Sequence, residues 1–256
     1  RAQNLIEKEE EYAHNVAHCY RCDSTIEPLP SWQWFLKMDG FAKTAIEAVR
    51  AQKVIFHPQR WEKVYFDWLQ NIRDWCISRQ LWWGHQLPVF FCEKKLAEVQ
   101  NSKIQSNELE NFVVSLQKPE KCPMCGDCEM KQSEDVLDTW FSSALWPSAT
   151  LKTEEDLKQF YPSNVLVTAR DIINLWVGRM IFSGIEFMEK EPFTDVLIHP
   201  TVLTKEGKRM SKSLGTGIDP LLLIEKYGAD ATRWGIAYQL MGGQDLKFGE
   251  ENIVMG

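Results

Sequence analysis

No apolar run in the 256 residues approaches the ~20 residues that a membrane span requires, and no signal peptide opens the chain. Internal repeats and low-complexity segments are also missing, so the chain reads as globular throughout. Positive charge is in deficit. The 29 Lys and Arg face 36 Asp and Glu for a net charge of -7, which argues against indiscriminate binding to nucleic acid but leaves room for a local basic patch. Histidine is scarce, with only His14, His18, His57, His85 and His199. Apolar and aromatic residues are abundant instead. They make up 44% and 12% of the chain, with 11 Trp, which excludes disorder and suffices for one large core or two smaller ones. Position 1 is an Arg in a charged, helix-prone stretch (Arg1 to Glu11), so the expectation is an excised fragment with a helical start.

Seven cysteines fall into groups. Cys19 and Cys22 form a C-x-x-C, Cys122, Cys125 and Cys128 form two overlapping C-x-x-C steps, and Cys92 and Cys76 stand apart. An odd count and this clustering favour thiolate–zinc chemistry in a reducing cytosol over disulfides. Cys92 and Cys122 bracket a polar stretch, Glu93 to Lys118, and Cys92, Cys122, Cys125 and Cys128 together suit a tetrahedral zinc site that folds a small insertion at about 92–133. Cys76, in an apolar stretch, reads as core.

Hydrophobic spacing supplies the organisation. An extended segment is expected at Trp32 to Leu36, a helix at Gly40 to Gln52 and a strand at 86–91. Trp61, Val64, Tyr65, Trp68, Leu69 and Ile72 recur at helical spacing, giving an amphipathic helix over Pro58 to Ile72. The clearest fold signal is the strand Val165-Leu166-Val167, a helix from Asp171 as its cap to about Met188, and a second strand, Asp195 to Ile198. Strand, helix and strand at this length make a parallel crossover in a doubly wound sheet, whose ligands sit at the carboxyl ends of the strands. Beyond Asp219-Pro220, one helix should end at Gly228 and another run from Ala229 to about Leu240.

Both strands empty toward one crevice, the first into Thr168-Ala169-Arg170-Asp171, the second into His199-Pro200 and then Lys208-Arg209-Met210-Ser211-Lys212-Ser213. Gly207 lets the backbone turn into that run. Its ammonium groups suit the charge that builds on a phosphate in a transition state, while hydroxyls and backbone N–H groups donate to phosphate oxygens. A solvated basic loop is the plain alternative.

The run Lys208 to Ser213 resembles the KMSKS signature of class I aminoacyl-tRNA synthetases, with Arg209 in the place of the first lysine. Asp74 to His85, Asp135 to Pro147 and Asp171-Ile172-Ile173 with Trp176 are similar to the branch handling valine, isoleucine and leucine. Trp82-Trp83, the Ser-Ser-Ala-Leu-Trp-Pro run and Gly242-Gly243-Gln244-Asp245 are most similar to the valyl enzymes. No His-x-Gly-His motif occurs. The resemblance therefore implies the second half of a Rossmann-like α/β catalytic core, without editing and anticodon-binding domains. It implies a re-entering segment at 1–58, the catalytic half at 59–215 and the start of a helical linking domain at 216–256.

The implied function is that of a valine–tRNA ligase fragment, cytoplasmic and independent of membranes, whose parent joins valine to tRNA(Val) with ATP and Mg²⁺. The isolated chain, apart from the remainder of the synthetase, is expected to be inactive. The alternatives are an isoleucyl-tRNA synthetase core and a zinc-knuckle nucleic-acid-binding module without catalysis. On the resemblance, Lys212 stabilises the phosphate charge, assisted by Arg209, with Ser211 and Ser213 as donors, Met210 as a packing anchor and His199 on the nucleotide side. Asp171 caps its helix and contributes secondarily to the nucleotide and amine site. Trp140, Ile172 and Trp176 wall the amino-acid pocket, a β-branched site able to discriminate one methylene by only about 1–3 kcal/mol. Arg79, Gln80 and Trp82 are candidates for the tRNA acceptor end, and Cys19 and Cys22 for half of a second zinc site. Two departures stand out. Ala169-Arg170 replaces the usual Gly and aromatic, and Cys92-Glu93-Lys94-Lys95 lacks a second cysteine, so either Cys128 takes that role or the site is degenerate.

Overall fold

The computed structural model describes residues 8–19, 22–28, 31–92, 94, 112–123, 125–211, 215–240 and 244–255. These fall into two units, 1–33 and 34–256.

Of the helical start expected at Arg1 to Glu11, residues 1–7 lie outside the described residues and the described part, 8–11, is not helical. Residues 8–17 belong to no regular element and are exposed. Their run of Lys and Glu offers no apolar stripe to pack, and a short helix without tertiary contacts is marginal in water. His18 and Thr25 form a lone antiparallel bridge around Cys22.

The second unit is organised on a parallel sheet. Its principal elements in chain order are helix α1 (Asp39–Arg50), strand β1 (Ile55–His57), helix α2 (Trp61–Gln70), strands β2 (Val89–Cys92), β3 (Phe112–Val114) and β4 (Met130–Gln132), helix α3 (Thr139–Ala144), strand β5 (Ser163–Ala169), helix α4 (Gly178–Met188), strand β6 (Phe193–His199) and helices α5 (Pro220–Tyr227) and α6 (Ala229–Ala237), with short strand pairs and turns of helix between them. β6 is central and runs parallel to β1 on one side and β5 on the other, with Val196 opposite Phe56 and Leu166, and His199 opposite Ala169. The expected crossover is therefore present, a Rossmann-like parallel arrangement with strands longer than the apolar triplets alone suggest.

Alternation along β6 buries Val196 and Ile198, and Phe193 at the strand's start is buried as well; all three belong to one core cluster with residues of α1 and α4 and with Phe56, Tyr65 and Phe182. The other face of the sheet leaves Val165, Val167 and Leu197 exposed. Tyr65, fully buried, satisfies its hydroxyl by donating to the Ala45 carbonyl at 2.8 Å. Burial pushes that phenol's pKa well above its usual value.

Several elements differ from the sequence reading, each for a local reason. The strand expected at 86–91 begins at Val89, because Pro88 has no N–H to give a ladder. The extended segment at Trp32 to Leu36 pairs only at Phe35–Leu36, with Trp75–Cys76. In α2, Tyr65 and Leu69 are buried but Val64 is exposed, so the covered face is narrower than the periodicity implies. Cys76 is half-buried, with its sulfur 3.7 Å from the Ser78 carbonyl. The helix after β5 does not start at Asp171. A 3₁₀ turn, Arg170–Ile172, and a π turn, Ile173–Val177, precede α4. The Asp171 side chain makes no cap; it is drawn off to a partner on the basic loop. Downstream, Asp219 does cap α5, accepting from Leu221 N at 2.9 Å with Pro220 behind it.

Candidate functional site

The carboxyl ends of β5 and β6 stand side by side, and the chain leaves each by a different route. From Ala169 it enters the 3₁₀ turn. From His199, whose Nδ1–H donates to the Pro200 carbonyl at 2.9 Å, it passes through Val202–Leu203 into a hairpin. Leu203 bridges Arg209, Thr204 N donates to the Lys208 carbonyl at 2.8 Å, and Gly207 makes the turn at φ +79°. A side chain at Gly207 would be strained by that φ, and its Cβ would lie 3.2 Å from Lys247 Cε.

This hairpin carries the basic run to the strand ends. Arg209 Nη2 lies 2.7 Å from Asp171 Oδ2, the contact that takes Asp171 away from capping. With Arg209 72% exposed, the pair is worth little to stability and can open readily. Met210 packs beside the buried cluster of Leu223, Phe248 and Ile253, as expected of an anchor. Ser211 N donates to Thr216 Oγ1 at 2.9 Å, and Thr216 N donates to the Ser211 carbonyl at 3.1 Å. Lys212 and Ser213 lie outside the described residues, as do Gly242 and Gly243.

Of the three expected pocket residues one lines a cleft, and the other two stand in the turns after β5, one of them bonded to the helix that carries the first. Trp140 follows Asp138, whose carboxylate caps α3 by accepting from Trp140 N, and it lines a cleft of about 510 Å³. Trp176 instead donates its indole N–H to the Ser143 carbonyl at 3.0 Å and packs on the core, while Ile172 is half-buried in the turn. The cleft's other walls include residues that periodicity did not single out. Asp138, only 5% exposed, accepts from Trp75 Nε1 at 2.9 Å and from Arg79 Nη2 at 2.8 Å. The Arg179 guanidinium lies 4.2 Å from the Trp75 ring centre and 5.4 Å from that of Trp68. Burial, opposed by the Asp138 charge, lowers its pKa. No sequence signal marks Arg179 or the Asp138 contacts, since each depends on partners brought together by the fold.

The cysteines do assemble. The four sulfurs of Cys92, Cys122, Cys125 and Cys128 lie within 4.8 Å of one another, with Cys92–Cys128 and Cys125–Cys128 at 3.1 Å and Cys92–Cys125 at 3.9 Å. Four sulfurs at ~2.3 Å from one zinc would stand about 3.8 Å apart, within the 3.1–4.8 Å range of this set, so the residues fit that ion with small adjustments. Cys128 brings a fourth sulfur to those of Cys92, Cys122 and Cys125. Hydrogen bonding with Cys128 lowers the Cys125 thiol to about 6, while the same contact raises Cys128, the pattern of thiols crowded enough to share protons. Antiparallel pairing of β2 with β3 and β4 places Cys92 over the Cys122–Cys128 turn. Cys19 and Cys22, by contrast, gain no third His, Cys, Asp or Glu in ligating geometry among the described residues. A hydrogen bond from Ser24 at 3.1 Å is the main cause lowering Cys22 to about 7. Among the described residues no helix is long and apolar enough to cross a membrane.

Comparison with known proteins bears on the family and the fold. The model of the tRNA synthetases class I (I, L, M and V) matches residues 5–249. The chain is 49% identical over 248 residues to a valine–tRNA ligase of Petrotoga mobilis and 51% identical over 248 residues to that of Thermotoga maritima. Each alignment covers 96% of this chain and 27% of the relative, so the chain spans about a quarter of the length of the curated relatives it matches. Among solved structures, methionyl-tRNA synthetase of Mycobacterium tuberculosis in complex with methionyl-adenylate superposes with a TM-score of 0.63 at 17% identity, over 98% of this chain and 42% of that one. The leucyl enzyme of Agrobacterium radiobacter K84, in a ternary complex with tRNA, gives 0.55 at 22% identity over 72% of this chain and 27% of that one. These two likenesses concern the fold.

Proposed function

The chain belongs to the class I tRNA synthetases of the isoleucine, leucine, methionine and valine branch, and from that premise we propose that it serves valine activation and transfer to tRNA(Val) in a valine–tRNA ligase. The observation that carries the reading is the meeting of the basic hairpin with the Asp171 turn at the adjacent ends of β5 and β6. In the proposed reaction a valine carboxylate oxygen attacks the α-phosphorus of ATP, and the bond to the β-phosphate oxygen breaks to release pyrophosphate. A ribose hydroxyl at the tRNA 3′ end then attacks the valyl carbonyl and releases AMP. Lys212 and Arg209 neutralise charge on the phosphate oxygens, and Ser211 and Ser213 donate to them. Arg209 would leave Asp171 for the phosphates, which frees that carboxylate for the ribose or the valine ammonium. His199 closes the nucleotide side, Mg²⁺ arrives with ATP, and Trp140, Ile172 and Trp176 form the apolar wall for valine.

In this reading residues 59–215 are the catalytic half and 216–256 begin a linking domain. Zinc on Cys92, Cys122, Cys125 and Cys128 supplies structure only, cross-linking the insertion without entering the chemistry. The protein works in the cytoplasm with the remainder of the synthetase.

The test is ATP–pyrophosphate exchange by the full gene product with valine, isoleucine and leucine in turn. Valine should support exchange best, and Lys212→Ala should lower kcat about 10²–10³-fold, the usual cost of losing one preorganised charge-stabilising donor. Exchange supported equally by all three amino acids, or unaffected by Lys212→Ala, would overturn the reading.

A further inference from the structure

Two ion pairs leave neighbouring residues of the same 3₁₀ turn, and they differ in kind. Asp171 holds the exposed Arg209 by one nitrogen. Arg170 points elsewhere, and its two terminal nitrogens donate to Oδ1 and Oδ2 of Asp245 at 2.7 and 2.8 Å. That fork-on-fork geometry fixes direction as well as distance. Asp245 Oδ1 also accepts from Thr201 N at 3.2 Å. Thr201 begins the stem of the basic hairpin. Its carbonyl accepts from Leu246 N at 2.9 Å, and Val202–Leu203 then pair in parallel with Leu246–Lys247. One carboxylate therefore joins the turn after β5, the first residue of the hairpin stem and the strand that lies against it. Lys247 continues the contact by lying against Gly207 at the hairpin turn.

We infer that Asp245 is a positioning residue for the basic loop, with Arg170 as its partner, fixing the hairpin stem against the turn after β5 while Arg209 stays free to change partners. The catalytic consequence rests on the proposed function; the anchoring itself does not. The Arg170 guanidinium holds the Asp245 carboxyl below the usual carboxylate range, so the anchor is ionised at neutral pH. Arg170 also lies 5.9 Å from the Trp61 ring centre, so replacing it would disturb packing too. Asp245 is therefore the cleaner position to vary.

The experiment pairs two readouts on the full gene product carrying Asp245→Ala or the near-isosteric Asp245→Asn. The first is the rate of tryptic cleavage at Lys205, Lys208 and Arg209 under native conditions, which reports the hairpin without reference to activity. The second is valine-dependent ATP–pyrophosphate exchange. We expect cleavage to accelerate severalfold and kcat to fall by up to about 10²-fold, with KM for valine within about twofold, because misplacement of a catalytic group by about 1 Å costs that much. Asp245→Asn, which keeps one oxygen for Arg170 and Thr201, should recover part of both effects. Unchanged cleavage in both variants would overturn the anchor. Faster cleavage with unaltered exchange would overturn its role in positioning, and so would a loss spread equally over kcat and KM with a lowered melting midpoint. Absence of exchange in the unmutated protein would sink the proposed function instead, and the cleavage rates would still decide whether Asp245 holds the loop.

Discussion

The cysteine module nearly closes on itself: Cys122, Cys125 and Cys128 sit in one turn, and only Cys92 comes from outside, on the strand that pairs directly with the segment following that turn. The basic hairpin takes its place from residues remote in sequence, above all Arg170 and Asp245, which are 75 residues apart. The module buries two of its four ligands, whereas the hairpin exposes Lys208 and Arg209 and is pinned chiefly by Asp245, Met210 and the Ser211–Thr216 bonds. Under the proposed function, a site that holds one ion gains from a rigid, dehydrated shell, and a site that admits and releases a polyanion gains from a fixed base and solvated cations. The difference teaches which parts of the molecule are expected to resist perturbation and which to respond.

The largest expected effect lies in the module. Structural zinc contributes on the order of 10 kcal/mol to small domains, so Cys122→Ser should remove one bound zinc per chain by elemental analysis. It should also abolish amide-exchange protection in β2 and β4 while α1 and α4 stay protected. A metal-free wild-type protein with those strands already protected would break the comparison, because the module would then hold without an ion.

A smaller effect belongs to Asp138. Asp138→Ala strips a buried carboxylate from Arg79 and the Trp75 indole and should cost about 3 kcal/mol by denaturant titration. Asp171→Asn, acting on an exposed pair, should cost less than about 1 kcal/mol in the same assay. Equal losses would mean that the hairpin is as fixed as the cleft wall.

Acid provides the mildest probe. The folded-state pKa of Asp245 is depressed by Arg170, so its stabilisation is fully present above the unfolded carboxylate value of ~3.9 and is lost as pH falls through the lower folded value. Opening of the hairpin, read by amide exchange relative to the intrinsic rate, should therefore be flat from neutrality to about pH 4 and rise only below it. A rise near pH 6 would point to another group.

How much of this was legible in the sequence follows the same division. Ligand spacing is local, so Cys122, Cys125 and Cys128 announced themselves, and the crossover of β5, α4 and β6 was visible in two apolar strands and a helical period. Gly207 and Asp219-Pro220 carried their turn and cap signals in their own chemistry. Asp171 looked like a cap because a short acid before a helical run usually is one. It was diverted because Arg209, 38 positions on in the chain, is folded back within 2.7 Å. Arg170 looked like a departure from pattern until Asp245 was found opposite it, and Arg179 between Trp68 and Trp75 had no signal at all. Side-chain pairs that close over long loops leave no periodic trace in the sequence.

The most direct measurement is a calorimetric titration of the full gene product with a non-hydrolysable valyl-adenylate analogue, set against the isoleucyl and leucyl analogues. The proposed function predicts that the valyl form binds at least about tenfold more tightly than either, as expected where one methylene is worth about 1–3 kcal/mol. Equal affinity for the three, or tighter binding of the isoleucyl form, would contradict it.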